Sequence, residues 1–464
     1  MITYVIRRVM PLVGLAAIVG VLVGLQDVPA VGADAWLHLR LGHEFLSGGW
    51  SLTHPGHLGV YDTATWYPTQ WASQVAMAWF DDRFGIGGVM WLSGTAILAT
   101  PVVLYLLCRR YAAPLPTVLA VGVAVCAAAP GFSARPQVVS YLLIAVVMGA
   151  WLETARDGRP RWWLVPLAWV WVPLHGMWIV GITIGVAAVV GMALTREHPR
   201  GLLLRLAAIP VLSALVAFAT PLGAHVVDGI AGVGSRNGAL TEWDPPDFTS
   251  PNALFLVLMI VVVLVVRLRG GEPTDWPTLM LLGLAMAWGL YTLRTTIVAA
   301  VMLAPLLAMA LQHLVPSVGR PGRREVGLVA AIAVLGSAAM AVVASQRDDD
   351  EVVAAWVDDR LAAMPAGTKV LNDWELGHYT MARHPQVQLV MHGYVDMFTT
   401  GELDRNLRIA KVEPRWDTSV EALDADYGFV DPNSAMGYAL VHQLGWTEVE
   451  GDDDFVLLRP PADG

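Results

Sequence analysis

The sequence predicts a mostly α-helical, polytopic membrane protein with a small α/β domain at its C-terminal end. Three observations predict it. Of 464 residues, 56% are hydrophobic and only 15% charged, where soluble globular proteins average about 45–50% apolar and about 25% charged. The apolar residues gather in stretches long enough to cross a bilayer core of about 30 Å. The charge is also unevenly spread: residues 1–345 hold 20 Lys+Arg against 16 Asp+Glu, and residues 346–464 hold 9 against 23. A net of +4 followed by a net of −14 marks a membrane domain at 1–345 and an acidic soluble domain at 346–464. This composition excludes a soluble cytosolic enzyme, a disordered chain and a collagen-like fibre. The acidity excludes nucleic acid as a partner, because phosphate binding needs a basic face. Cys108 and Cys126 both lie in apolar stretches, and two cysteines there build neither a disulfide framework nor a metal site.

Eleven apolar stretches read as spans, at 9–27, 86–107, 113–130, 137–152, 162–174, 177–195, 202–220, 252–266, 277–293, 296–312 and 326–345. The first follows Arg7 and Arg8 without a convincing small-residue cleavage motif, so it reads as a helix and not as a removed signal. The stretch 162–174 is short, and a single kinked helix with 177–195 is the alternative. Charge decides between them. With eleven spans and a cytoplasmic N-terminus, 15 of the 20 basic residues before position 346 fall on the cytoplasmic side, among them Arg109, Arg110, Arg156, Arg196, Arg267 and Arg323. Merging the two stretches would move Arg196 and every later cluster to the wrong side. The positive-inside rule therefore selects eleven spans and places the acidic domain outside the cell membrane.

The outer loops hold the unusual chemistry. The first, at 28–85, is long and rich in Trp, His, Gly and Pro. Its segments 34–46 and 66–80 mix apolar, aromatic and charged residues and read as helices in the membrane interface, with Trp66, Trp71 and Trp79 at headgroup level. A second outer segment is 131–136 and a third is 221–250. In the acidic domain the pattern gives a helix at 351–363, a strand at 369–372, a helix at 375–384 and a strand at 386–391. Helices at 401–412 and 418–424, a strand at 427–430, a helix at 434–444 and a hairpin at 446–459 complete it. Alternating strands and helices predict a compact open sheet. The absence of Gly-x-Gly-x-x-Gly gives no support to dinucleotide binding.

Candidate site residues follow from residue type and place. Asp34 stands just beyond the first span, where a carboxylate can take a proton from a hydroxyl; it would also serve as an N-cap. Arg135, Arg236 and Arg294 are three of only five basic residues placed outside. A guanidinium grips phosphate oxygens bidentately, or it snorkels to headgroups or pairs with Glu242 or Asp244. His175 sits at a break between two apolar stretches, to line a cavity or to bond its own turn. Trp36 and His38 are set to line a site beside Asp34. No cofactor is read from the sequence. The acidic cluster Glu242, Asp244 and Asp247 is where a divalent cation would go, and His38, His43, His54 and His57 are too irregularly spaced for a zinc site.

The ordered set Asp34-Ala-Trp-Leu-His-Leu, Thr69-Gln-Trp-Ala-Ser-Gln74, Ala134-Arg-Pro-Gln137, Trp171-Val-Pro-Leu-His-Gly176, Thr220-Pro-Leu-Gly223, Glu242-Trp-Asp-Pro-Pro246, Leu293-Arg294 and Asn372-Asp-Trp-Glu-Leu-Gly377 resembles the membrane glycosyltransferases of the GT-C class. The ending around Asp452–Arg459 fits as well, so the resemblance covers nearly the whole chain. It implies a sugar donor on a polyprenyl phosphate or pyrophosphate that enters sideways from the membrane lipids. It also implies an extracytoplasmic glycan, lipid or protein acceptor. Asp34 matches the first-loop Asp of the class, its general base, and the transfer it implies is inverting. Arg135 and Arg294 would steady the leaving phosphate. In the mannosyltransferase-like branch Glu follows that Asp; here Ala35 follows, which argues against protein O-mannosylation. Two rival readings stand beside this one. A lipid or solute transporter should carry ionisable residues at mid-membrane, whereas the charges here lie at span ends. A non-catalytic scaffold or sensor with a partner-binding outer domain is compatible with a lone Asp34 followed by Ala35.

Overall fold

The computed structural model of the chain describes residues 9–25, 33–63, 66–236, 243–270, 275–316, 319, 321–346 and 353–461. Down the chain run α1 (Met10–Leu25), α2 (Ala33–Leu46), the short hairpin β1 (His57–Leu58) and β2 (Tyr61–Asp62), α3 (Trp71–Cys108), α4 (Pro114–Ala128), α5 (Gln137–Asp157) and α6 (Leu164–Trp171). Then come α7 (Trp178–Thr195), α8 (Arg200–Leu215), α9 (His225–Arg236), α10 (Pro251–Gly270), α11 (Trp276–Tyr291), α12 (Thr296–Gln312) and α13 (Arg323–Ala344). After α13 follow α14 (Ala355–Ala363), β3 (Lys369–Asn372), α15 (Trp374–Arg383), β4 (Gln388–Leu389), α16 (Thr400–Ala410), α17 (Trp416–Glu421), β5 (Tyr427–Val430), α18 (Ala435–His442), β6 (Thr447–Gly451) and β7 (Val456–Arg459). The chain divides into two compact units: Met1–Ala30, Phe84–Val226 and Leu240–Gln346 in one, and Val31–Arg83, Val227–Ala239 and Arg347–Gly464 in the other.

The first unit is the membrane unit. Every one of the eleven predicted stretches holds a helix, and eight helical segments among the described residues are long and apolar enough to cross a membrane. The protein is therefore multi-pass. α1 and α11 are shorter, at 16 residues each. α6 has only eight, a rise of about 12 Å, with turns completing the 162–174 stretch on either side. α3 joins the predicted interfacial segment and the second span; Gly85, at φ 63° and ψ −168°, interrupts its helical backbone.

α12 is the hub of this unit, buried at every residue from Thr296 to Ala308 and packed against α4, α5, α10 and α11. Its small residues Ala299, Ala300, Ala304 and Ala308 let those helices come close, which is how helices associate where lipid removes the hydrophobic drive. At one end of the unit Arg109 and Glu325, fully buried, form a two-pronged ion pair: Nε to Oε1 at 2.5 Å and Nη2 to Oε2 at 3.1 Å. Tyr105 donates to the same carboxylate at 2.8 Å. Arg109, counted above among the charges that orient the chain, is thus also an internal tie between α3 and α13.

The second unit is built on a five-stranded sheet of order β4-β3-β5-β7-β6, parallel across β4, β3 and β5 and antiparallel across β5, β7 and β6. The predicted open sheet is there, but its border lies elsewhere than residue 346. Leu37 and Leu41 of α2, Leu58 of β1 and Trp66 share one core with Val357, Leu361, Val370, Leu376, Leu389, Phe429 and Leu457. α2 packs along α15, and Val60 donates a backbone hydrogen bond to Leu389 at 3.0 Å. The apolar faces read as interfacial are therefore partly core faces. Trp66, expected at headgroup level, is 3% exposed and donates its indole N–H to Asp396 at 3.0 Å. The strand expected at 386–391 is cut to Gln388–Leu389: the Val390 amide is shared between the Val370 carbonyl at 3.3 Å and the side-chain Oδ1 of Asn372 at 3.0 Å, and the Met391 amide goes to the same Oδ1 at 3.0 Å.

Candidate active site

In the second unit, Asp34 is in the first turn of α2. Its Oδ1 lies 3.2 Å from Nε2 of His378 on α15, with the Asp34 side chain 27% exposed and the His378 side chain 7%. The same Nε2 accepts the backbone N–H of Gly393 at 2.9 Å. The local sequence explains why these groups meet. Asn372, at the end of β3, holds the 390–391 turn through three hydrogen bonds, the two amides above and Nδ2 to the Met391 carbonyl at 2.8 Å, while Nδ2 also donates to the Asp373 carbonyl at 2.8 Å. Gly377 lies against that turn, where a Cβ would fall 2.1 Å from the Met391 carbonyl oxygen. One residue later comes His378, facing Gly393, where a Cβ would fall 2.4 Å from Nε2. The sequence Asn372-Asp-Trp-Glu-Leu-Gly-His378 therefore positions both the turn and the imidazole.

Around this pair the first loop and the segment 391–398 are stitched together. Tyr394 hydroxyl receives the side-chain amides of Gln70 and of Gln74, the latter at 3.4 Å. Gln74 also bonds His38 Nδ1 at 3.2 Å. His38 is 5% exposed and Trp36 3%. Trp36 meets Tyr379 edge-on at 5.2 Å, and the Arg383 guanidinium lies 5.0 Å from its ring centroid. Both predicted site residues are thus packed into the unit. His392, stacked on Phe398 at 4.3 Å, is kept neutral: burial first, then the nearby His378, hold its pKa down at about 3. His43 goes the other way, raised by its hydrogen bond to Asp81 at 3.0 Å.

In the membrane unit, Arg294 donates from Nη2 to Gln137 Oε1 at 3.1 Å, two residues beyond Arg135, and its guanidinium lies 5.8 Å from the Trp243 ring. Leu293 donates its backbone N–H to the Asp244 carbonyl at 2.9 Å. The segments carrying Arg135, Asp244 and Arg294 thus converge, with a Thr292–Thr295 capping box setting the turn at Arg294. His175, 6% exposed, bonds Ser140 Oγ at 3.1 Å and accepts the backbone N–H of Met177 at 3.4 Å, so it serves its own turn. Trp171 donates to the same Ser140 at 2.9 Å. Asp247 accepts from Thr249 within its own turn. Glu242 and the side chain of Arg236 lie outside the described residues. Among the described residues no three or more His, Cys, Asp or Glu side chains converge on a place for a metal ion.

A carboxylate within reach of solvent, with an imidazole nitrogen at hydrogen-bond distance, can accept and hold a proton. Sequence reasoning named Asp34 and missed His378, Gly393 and Tyr394. The signal was within reach: the segment 372–377 stood out, and His378 is its next residue.

No protein-family model matches this sequence, and no curated protein matches it. Solved structures do. ArnT from Cupriavidus metallidurans in the apo state is 16% identical, with a TM-score of 0.52 over 95% of this chain and 97% of that one. The fold is GT-C-like. The same enzyme bound to undecaprenyl phosphate is 17% identical, with a TM-score of 0.51 over 96% and 97% of the two chains. An Archaeoglobus fulgidus oligosaccharyltransferase tethered with an acceptor peptide is more distant, 13% identical with a TM-score of 0.49 over 90% and 69%. At such identities the likeness speaks for the fold alone.

Proposed function

We propose that this protein is a GT-C-type glycosyltransferase. It moves a sugar from a polyprenyl-phosphate-type lipid donor to an extracytoplasmic acceptor, with inversion, and Asp34 is the general base. The observation that carries the reading is the Asp34 carboxylate, partly open to solvent with the His378 imidazole 3.2 Å away, on a GT-C-like fold. The likeness to ArnT, which has been solved with undecaprenyl phosphate, supports a lipid-linked donor. In the transfer the acceptor O–H bond breaks and Asp34 takes the proton. The acceptor oxygen bonds the anomeric carbon, and the anomeric carbon–oxygen bond to the phosphate breaks with its electron pair on the phosphate. That leaving group is already anionic and needs no strong acid. Arg135 and Arg294 supply positive charge for the phosphate, the kind of fixed electrostatic aid that often carries most of the rate. In this reading the N-terminus is cytoplasmic and residues 346–464 are extracytoplasmic.

One observation favours a second reading. The Asp34–His378 contact also fastens α2 to α15, as a structural clamp in a scaffold without catalysis would. Asp34→Asn separates the two readings, since Asn is isosteric and still bonds the imidazole. A deletion strain carrying each version is analysed for lipid-linked and surface glycans. The glycosyltransferase reading expects the Asn variant, present in the membrane at the normal level, to lose transfer by at least about 10²-fold. A wild-type glycan profile from that variant rejects it in favour of the clamp.

A further inference from the structure

Besides the Asp34–His378 pair, the second unit carries a groove of about 470 Å³, a volume within the range of sites for small organic ligands. It is walled by the loop after β5, by α18 and by Val412 beyond α16. Topology puts it where open sheets bind ligands. From β3 the chain passes through α15 to β4 on one side, then through α16 and α17 to β5 on the other side of β3. β3 and β5 are parallel, so their carboxyl ends flank the point where the strand order reverses, the usual seat of a ligand in such sheets. The groove begins at Pro432, two residues past β5. Its wall is fixed by the chain itself. Asp373, just after β3, accepts the backbone N–H of Asp431. Ser434 Oγ donates to the Asp431 carbonyl at 2.8 Å and accepts the Gly437 N–H at 2.9 Å. Gly437 comes so near that a Cβ would fall 2.2 Å from the Asp431 carbonyl oxygen.

The groove offers a narrow chemistry. Tyr438 is 60% exposed, and His442, one turn further along α18, lies against its ring at 4.2 Å and holds its orientation. Exposed Asn433 and Gln443 bring side-chain amides, each with donors and an acceptor. Among the described residues that line the groove there is neither a carboxylate nor a cation, although residues 346–464 hold 23 Asp+Glu and 9 Lys+Arg. An anionic ligand would meet that acidic surround with no guanidinium to receive it. A peptide strand would seek an unpaired sheet edge, and the edges, β4 and β6, contribute nothing to the groove. An open aromatic ring beside neutral amides suits a pyranose, which has an apolar C–H face and a rim of hydroxyls that both donate and accept.

We propose that this groove binds an uncharged hexose-type glycan, with Tyr438 stacked on a sugar ring and Asn433 and Gln443 bonded to its hydroxyls. The inference rests on the glycosyltransferase reading in one respect: that reading leaves the acceptor class open, and this glycan is the acceptor.

Binding is tested on the full-length protein in a detergent without a sugar head group. The probes are oligosaccharides released from the host envelope and split by anion exchange into neutral and acidic fractions, with tryptic peptides of envelope proteins beside them. Saturation-transfer NMR should show binding of the neutral fraction alone. In titrations with its tightest-binding component, Tyr438→Ala should weaken binding about tenfold, and Tyr438→Phe, which keeps the ring, by less than about threefold. Gln443→Ala should weaken it about fivefold. No binding of the neutral fraction, equal binding by Tyr438→Ala, or preference for the acidic fraction or the peptides overturns the proposal. In transfer assays with the host's extracted polyprenyl-linked lipid fraction as donor, Tyr438→Ala should raise the half-saturating glycan concentration about tenfold and leave the maximal rate unchanged. An unchanged half-saturation overturns the glycan's role as acceptor. If Asp34→Asn is inactive and no neutral glycan binds, this inference fails and the base reading stands. If the glycan binds through Tyr438 and Asp34→Asn is fully active, the base reading fails and the groove remains a glycan site.

Discussion

Asn372→Ala is expected to unlock the turn that carries Gly393. Asn372 is fully buried, and its side chain is the partner of the Val390 and Met391 amides and of the Met391 carbonyl. Val390 keeps a second bond, to the Val370 carbonyl at 3.3 Å. Met391 loses its partner on both its N–H and its carbonyl. Two backbone groups left unmet in a buried place cost about 1–3 kcal/mol each, so the loss should be about 2–6 kcal/mol. Unfolding of the second unit, followed by tryptophan fluorescence in the full-length protein, reads the stability. Hydrogen exchange over residues 390–394 reads the turn, and it should quicken in the variant. Asn372→Asp keeps the acceptor for the two amides but turns a carboxylate oxygen toward the Met391 carbonyl, so it should be at least as damaging. A loss below about 1 kcal/mol from Asn372→Ala, with exchange over 390–394 unchanged, would refute the reasoning.

The remaining predictions concern charge. Arg109→Met leaves Glu325 buried beside Tyr105 without its cation and should cost about 3–5 kcal/mol, whereas Arg109→Met with Glu325→Leu should recover most of that. Unfolding in detergent checks both, and a single variant as stable as wild type would contradict the buried-pair account. His392, with its pKa lowered to about 3 in the folded protein, takes up a proton more readily when unfolded. Its presence should therefore cost stability as pH falls from about 6.5 toward that value. His392→Phe, which keeps the ring stack on Phe398, should flatten the decline of Tm with acidity over that window; parallel declines would show that the buried imidazole is not the cause.

Much of the fold was legible because its signals are local. A helix in a bilayer is decided by whether some 20 neighbouring residues are apolar, so each predicted stretch, 137–152 and 326–345 among them, holds a helix. The strands at Lys369–Asn372 and Tyr427–Val430 fall where the alternation put them. Less legible were contacts whose partners lie far along the chain. Trp66 reads as an interfacial anchor until Asp396, 330 residues away, takes its N–H. Arg109 reads as one more cytoplasmic charge until Glu325 is found against it, although a lone acid at the start of a long apolar run is itself a hint of a partner.

The amino-acid sequence alone, through hydrophobic run lengths and the division of charge, determined that this chain crosses the membrane many times and carries an acidic α/β unit. It also marked Asp34 as a carboxylate worth notice. Transfer free energies act residue by residue and need no knowledge of neighbours, which is why such features can be read off directly. Only the tertiary structure decided that Leu37, Leu41, Leu58 and Trp66 share a core with the C-terminal segment, and that Asp34 meets His378, whose Nε2 accepts the Gly393 N–H. Those pairings depend on distances of a few ångström between segments more than 300 residues apart, a quantity that emerges only when burial, hydrogen bonding and close backbone approach are satisfied together.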